Sequence, residues 1–242
     1  IIFDIIEREA IEMGLSLLPV RDVPTNNEGL GAVARAAEPA IKQIFIADEK
    51  SNDPIEPRLY LLRRAIEKKI SMLDMPGKDE FYIVSLSSKN IVYKGMLSSL
   101  QLRYYFPDLM NPHFTTAMAL VHSRFSTNTF PTWSLAQPFR MLGHNGEINT
   151  IQGNRLWMKA RECVLHPKAF GDHDLTPILQ PDMSDSASLD NALEYFVMGG
   201  MSLPHALAML VPESFNDRNP ISAELKAFYE FPVSYTHLTL PT

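Results

Sequence analysis

Residues 122–133 read HSRFSTNTFPTW, a polar stretch that directly follows the mostly apolar run TTAMALV at 115–121. We predict a strand over 115–126, which places Arg124 near a strand end, where functional groups are often held on a rigid element. An isolated arginine is more often a surface residue that pairs with a carboxylate. Arg124 alone therefore does not define a site.

Two further polar segments follow along the chain, HNGEINT at 144–150 and SDSASLDN at 184–191. Asn-Gly is favoured in tight turns because both residues tolerate positive φ. The pair Asn145 and Gly146 can therefore serve as a turn, or as hydrogen-bond donors aimed at a reacting oxygen. Asp185 can likewise be part of a helix N-terminus or a ligand-binding carboxylate. The residues alone leave both pairs of alternatives open.

Hydrophobic periodicity predicts several helices and strands around these segments. The predicted helix at 149–164 places Leu156, Trp157, Ala160 and Val164 on one apolar stripe. Because strands cluster in the middle of the chain, with helices before and after them, the pattern favours the α+β class. The other predicted helices lie at 2–13, within 51–73, near 99–110, at 185–198 and from 203, and the predicted strands at 41–48, 80–88, 90–97, 115–126 and 139–148.

Composition and charge exclude several classes of function. The net charge of −6 argues against a nucleic-acid partner, which usually requires a basic face. No apolar run reaches the roughly 18 to 20 residues that cross a bilayer, so we expect no membrane partner. The single cysteine suits a reducing compartment. The segment HPKAFGDHD at 166–174 lacks the spacing of a metal site and is interpreted as a solvated loop.

The three polar segments, together with NRLWMKARE at 154–162, resemble the amide-cleaving domain of glutamate synthases, a class II glutamine amidotransferase of the N-terminal-nucleophile type. RDVPTNNEGLG, DEFYIVSLSSKNIVYKGML and MSLPHALAMLVPESF are also similar to that family. The resemblance implies a four-layer αββα sandwich of antiparallel sheets over residues 1–231, truncated at both ends. Residues 232–242, PVSYTHLTLPT, break the preceding helical pattern and are interpreted as a non-native tail.

The resemblance assigns Asn145 and Gly146 to an oxyanion hole. An amide carbonyl under attack becomes an oxyanion, which a carboxamide and a backbone N–H can stabilise in a water-poor pocket. Asn145 would supply its side-chain amide and Gly146 its backbone N–H, with no Cβ to block a close approach.

Four more residues are implied in recognition of free L-glutamine. Arg124 would pair with the α-carboxylate through its planar guanidinium, and Asp185 would bind the α-ammonium group. Phe125 and Thr127 would line the same pocket. We expect all of these groups, although far apart in the chain, to converge on one cavity.

The family's nucleophile is an N-terminal cysteine, which we expect upstream of Ile1. Cys163 cannot replace it, because its nitrogen is a peptide amide, and we predict a buried structural thiol inside the helix at 149–164. The chain is therefore interpreted as a fragment that shapes the glutamine pocket but does not cleave the amide alone.

The resemblance also implies a role in a larger enzyme. The released ammonia would pass to a downstream synthase domain of the same chain, which converts 2-oxoglutarate to glutamate with FMN and a 3Fe-4S cluster that bind outside this fragment. Electrons would come from a small NADPH-dependent subunit or from ferredoxin, in a bacterial cytoplasm or, as the second option, a plastid. The alternatives are a non-catalytic interaction module that has lost the nucleophile and a glutaminase domain that serves another acceptor.

Overall fold

The structure is a computed structural model that describes residues 1–48, 51–125, 129–144, 148, 151–213, 215–216 and 220–233. The chain divides into two compact units. The first comprises Ile1–Phe125 and Pro131–Pro138, and the second comprises Ser126–Phe130 and Phe139–Thr242. Within the described residues, no helix is long and apolar enough to span a membrane.

Three helices of the first unit lie where the sequence predicts them, and α2 was not predicted. The long helix packs against the first helix, and Gly14, with φ of +68°, follows the end of the first helix in the left-handed conformation that glycine favours. Their apolar faces form one core of Ile6, Ala10, Leu15, Leu62, Ile66 and Ile70. The helices are α1 (Ile2–Glu12), α2 (Ala32–Ala36), α3 (Ile55–Ser71) and α4 (Ser99–Tyr105).

Two small antiparallel sheets accompany these helices. Strand β1 (Ser16–Leu17) pairs with β4 (Ile46–Ala47), so that Ser16 faces Ala47. Strand β2 (Arg21–Asp22) pairs with β3 (Lys42–Gln43), so that Arg21 faces Gln43. The predicted strand at 41–48 is thus present as β3 and β4. The α+β class with antiparallel pairing is confirmed.

Four other predicted strands are not strands in the described residues. The segments 80–88 and 90–97, and the described parts of 115–126 and 139–148, form no backbone ladder. Hydrogen bonds that involve side chains hold parts of these segments instead. The Glu56 carboxylate accepts the Ser88 N–H at 2.7 Å, and the Tyr93 hydroxyl donates to the Asp108 carboxylate at 3.0 Å. Residues 111–121 are exposed. Apolar alternation identifies segments suited to a strand, but it does not supply the partner that a strand requires.

The second unit is helical in its described residues. Helix α6 lies at its centre, because every residue from Asp185 to Phe196 is buried. The helices are α5 (Ile151–Arg161), α6 (Asp185–Met198), α7 (Leu203–Leu210) and α8 (Ala223–Val233). Helix α8 continues two residues past the predicted domain boundary at 231, and that boundary stays a prediction.

The predicted buried face of α5 is wrong. Leu156 and Trp157 are exposed, whereas Asn154 and Met158 are the buried residues of this helix. Arg155 explains the orientation, because its guanidinium donates to Ser188 Oγ on α6 at 3.0 Å and to the Met183 carbonyl. A polar contact with α6 therefore decides which side of the helix is covered.

The predicted burial of Cys163 is also wrong. Helix α5 ends at Arg161, so Cys163 lies in the following turn, where its thiol is exposed. The predicted helix reached to 164 because Val164 continues the apolar spacing. Val164 is itself exposed.

Candidate functional site

The N-terminus of α6 presents a buried carboxylate. Ser184 is the N-cap residue, and its Oγ accepts the Ala187 N–H at 3.1 Å, which satisfies one of the free donors of the first turn. Asp185 follows as the first helical residue, where the helix dipole favours a negative charge. Its side chain is only 4% exposed. The local sequence Ser-Asp-Ser therefore builds both the helix start and the site carboxylate.

Asp185 is tied to the segment that carries the predicted oxyanion donors. Its Oδ2 accepts the backbone N–H of Ile148 over a long 3.4 Å, and its Oδ1 accepts the N–H of Ser186 at 2.7 Å. Ile148 stands two positions after Gly146 in the sequence. The carboxylate predicted to bind an ammonium group thus contacts Ile148, a described residue of HNGEINT, within the second unit.

A second carboxylate of α6 binds the residues that precede HNGEINT. Asp190 accepts three backbone N–H groups, from Arg140 at 3.2 Å, Met141 at 2.8 Å and Leu142 at 3.1 Å. Burial raises the pKa of Asp190 to about 6, and the charge of Glu194 adds to the rise. The Arg140 charge and the N–H donors lower this pKa and so limit the rise.

Asp190 was missed as a functional candidate by the sequence reasoning, although it lies within SDSASLDN. A signal was present, because Asp190 stands directly after Leu189 and shortly before Ala192 and Leu193, among residues that α6 buries. A carboxylate in such a position requires partners that offset its desolvation. The identity of those partners could not be read from the sequence.

The other motif segment, HSRFSTNTFPTW, has its two ends, 122–125 and 131–133, in the first unit. Arg124 is exposed, its backbone N–H donates to His122 Nδ1 at 3.1 Å, and no described residue accepts a hydrogen bond from its guanidinium. Phe125 is half-buried. An exposed guanidinium can bind a carboxylate with its planar fork.

The end of this segment is fixed in the core of the first unit. The Trp133 indole N–H donates to the Ala34 carbonyl at 3.0 Å, and its ring lies 5.3 Å from the Tyr105 ring. The buried ammonium group of Lys94 donates to the Ser134 carbonyl at 2.7 Å. The chain at Trp133 and Ser134 is therefore held by an aromatic and a cationic side chain.

The six predicted site residues are distributed between the two units. Arg124 and Phe125 belong to the first unit and Asp185 to the second. Their convergence on one cavity stays a prediction, as do their roles. The predicted residues Thr127, Asn145 and Gly146 lie outside the described residues.

The second unit contains a cavity of about 370 Å³, and Arg124, Phe125 and Asp185, the predicted site residues that the structure describes, are not part of its described wall. Its wall includes His166, His173, Asp174 and Tyr195, so the segment HPKAFGDHD faces this cavity. In the described part of the chain, no group of three or more His, Cys, Asp and Glu side chains could hold a metal ion.

The combination of these motif segments defines a class of protein, and comparison with known families gives the same class. The family description "Glutamine amidotransferases class-II" matches residues 2–237. The chain belongs to the class II glutamine amidotransferases. This family has the N-terminal-nucleophile fold that the sequence analysis expects, although the described residues show only the two short sheets given above.

Curated relatives narrow the similarity further. The chain is 42% identical over 231 residues to the glutamate synthase [NADPH] large chain of Azospirillum brasilense, with 94% of this chain and 15% of that protein covered. It is 45% identical over 237 residues to the glutamate synthase [NADH] of Saccharomyces cerevisiae, with 94% and 11% covered. It is 44% identical over 232 residues to the ferredoxin-dependent glutamate synthase of Pyropia yezoensis, with 94% and 15% covered.

These relatives share a name but differ in the electron donor that the name contains. The chain spans only about 11 to 15% of their length. The similarity is nearly equal for the three donors, so it does not select among NADPH, NADH and ferredoxin.

Proposed function

We propose that this chain is the glutaminase domain of a glutamate synthase. It releases ammonia from the side-chain amide of L-glutamine, and a downstream domain of the same protein adds that ammonia to 2-oxoglutarate and reduces the product to L-glutamate. The observation that supports the proposal is the hydrogen bond of the buried Asp185 carboxylate with the N–H of Ile148, because Ile148 stands two positions after Gly146 in the sequence.

The residues of this chain would bind glutamine at its amino-acid end and stabilise the reacting end. Arg124 would hold the α-carboxylate and Asp185 the α-ammonium group, while Phe125 and Thr127 line the pocket. The nucleophilic cysteine, expected upstream, would attack the amide carbon and ammonia would leave. Water would then cleave the acyl-enzyme thioester, which releases glutamate and regenerates the thiol.

Asn145 and Gly146 would stabilise the oxyanion that forms in both steps. Their hydrogen bonds would strengthen as charge develops on the oxygen, so they act on the transition state more than on bound glutamine. This expectation separates their role from that of Arg124 and Asp185, which would contact groups whose charge does not change during the reaction.

The remaining parts of the enzyme are placed outside this chain. FMN and a 3Fe-4S cluster would bind in the downstream synthase domain, where they would carry the electrons of the reductive step. A small NADPH-dependent subunit or ferredoxin would supply those electrons. We place the protein in a bacterial cytoplasm rather than a plastid. The single cysteine of the chain is compatible with that reducing compartment.

Replacement of Asn145 tests the proposal in the full-length enzyme. Asn145→Ala should lower glutamine-dependent glutamate formation by about 10²- to 10³-fold, as loss of one oxyanion donor does in other enzymes. Activity with added ammonia should remain, because ammonia bypasses the amide cleavage. Steady-state rates with the two nitrogen sources provide the measurement.

The matched control is Asn52→Ala, which removes an exposed carboxamide before α3 and should leave both rates unchanged. Equal losses with glutamine and ammonia in Asn145→Ala would show that the residue supports the fold instead. A wild-type protein that releases no ammonia from glutamine would favour the non-catalytic module.

A further inference from the structure

Helix α6 holds the chain on both sides of Asn145-Gly146. Before the pair, Asp190 accepts the N–H groups of Arg140, Met141 and Leu142. After the pair, Asp185 accepts the N–H of Ile148. Two carboxylates of one helix therefore fix the two ends of the segment from which the oxyanion donors would come.

The Asp190 contact is difficult to replace with any other side chain. Both carboxylate oxygens accept hydrogen bonds: Oδ2 accepts the Arg140 N–H, and Oδ1 accepts the Met141 and Leu142 N–H groups. The side chain is 1% exposed, so water does not compete for these bonds. An ionised acceptor forms stronger hydrogen bonds than a neutral one, and two equivalent oxygens are available only in a carboxylate.

The helix that carries Asp190 is itself held firmly. All residues from Asp185 to Phe196 are buried, so a movement of α6 would disturb the packing of the second unit. Arg155 of α5 donates to Ser188 Oγ through both Nε and Nη2, at 3.1 and 3.0 Å. A backbone segment bound to such a helix takes its position from it.

We propose that Asp190 is a positioning residue for amide cleavage: through three backbone N–H groups it sets the register of the segment that presents Asn145 and Gly146. The inference rests on the proposed glutaminase function and adds a residue that acts through others and does not touch glutamine. A displacement of about 1 Å in a catalytic group can cost about 10²-fold in rate.

The test compares two variants of Asp190 with a matched control on the same helix. Asp190→Ala removes all three acceptors, and Asp190→Asn keeps one oxygen but turns an amide donor toward an N–H. Asn191→Ala is the control, because Asn191 is also buried and its Oδ1 accepts the Gln180 N–H at 3.2 Å, in a different segment. All variants are made in the full-length enzyme.

Two readouts are measured in each variant. The first is kcat and KM for glutamine, together with the rate on ammonia. The second is amide hydrogen exchange of the peptide that covers 139–148, which reports the local hydrogen bonds without any need for catalysis.

We expect Asp190→Ala to lower kcat with glutamine by about 10- to 10³-fold, with little change in KM or in the ammonia rate, since misplaced oxyanion donors weaken mainly the transition state. Asp190→Asn should lie between this variant and wild type. Exchange at 139–148 should rise in both. Asn191→Ala should leave kcat and exchange at 139–148 unchanged.

Unchanged kcat in Asp190→Asn and Asp190→Ala, or unchanged exchange at 139–148, would overturn the inference. If Asp190→Ala fails to fold, Asp190→Asn decides by the same criteria. A wild-type enzyme that does not hydrolyse glutamine would contradict the proposed function, and the exchange result would still decide whether Asp190 holds the segment.

Discussion

Trp133 shows how one side chain can fix a motif that otherwise contains mostly polar residues. Its indole N–H is satisfied by the Ala34 carbonyl, and its ring packs with Tyr105 in a core that also contains Leu30 and Phe106. The absence of a side chain at Gly95 makes this packing possible. A Cβ at that position would lie 2.4 Å from the Trp133 ring.

Gly95→Ala should therefore destabilise the first unit. The added methyl group would force the Trp133 ring out of place, and overpacking of a core costs about 1 to 3 kcal/mol. We expect faster amide hydrogen exchange in the peptide that covers 131–136 of the full-length protein. Gly29→Ala is the control, because a Cβ there meets no atom within 4 Å. Equal exchange in the two variants would show that the Trp133 ring accommodates the methyl group.

At the level of single residues, the sequence was sufficient to identify polar groups of the motifs but not the groups that form hydrogen bonds with them. Asp185 was predicted from its motif and lies, buried, at the N-terminus of α6. The role of Lys94 could not be predicted, since its partner is the carbonyl of Ser134, forty positions away. Backbone acceptors carry no signature in the side-chain sequence.

At the level of elements, helices were easier to predict than strands for a physical reason. A helix satisfies its own backbone, so local spacing and caps such as Ser184 indicate its ends. A strand requires a partner elsewhere, and the predicted strands at 80–88 and 90–97 have none among the described residues. In α5 the predicted apolar stripe is exposed and Val164 lies beyond the end of the helix, while Arg155 makes polar contacts with α6.

Helix α6 should also give the second unit a pH-dependent stability. The folded pKa of Asp190, about 6, lies above the roughly 3.9 of an unfolded aspartate. The folded state then binds more protons between about pH 4 and 6, so the free energy of unfolding falls as the pH rises through that window. The cause is burial first and the charge of Glu194 second, opposed by Arg140.

The measurement is the opening free energy of α6 from hydrogen exchange in the full-length protein, corrected for the intrinsic pH dependence of exchange. We expect the wild type to lose protection from pH 4.5 to 6.5 and Asp190→Asn to lose less. Glu194→Gln should move the wild-type transition to lower pH, because it removes a charge that raises the pKa of Asp190. A transition unchanged in Asp190→Asn would assign the pH dependence to another group.

At the level of the whole molecule, the motifs predicted the family, whereas the periodicity predicted only the fold class. Periodicity gave the α+β class, which the helices and the two antiparallel sheets confirm. The family was predicted from short polar segments whose residue types suit amide cleavage, and the match over residues 2–237 confirms it. The electron donor could not be predicted, since the three relatives with different donors are about equally similar to this chain.

The fate of the glutamine amide nitrogen tests the central claim most directly. The full-length protein is supplied with glutamine labelled with ¹⁵N only in the side-chain amide, with 2-oxoglutarate, and with NADPH, NADH or reduced ferredoxin in turn. We predict that ¹⁵N appears in the α-amino group of the glutamate formed from 2-oxoglutarate with one of these donors. Intact glutamine in all three reactions, or label that remains as free ammonia, would contradict the assignment of this chain to a glutamate synthase.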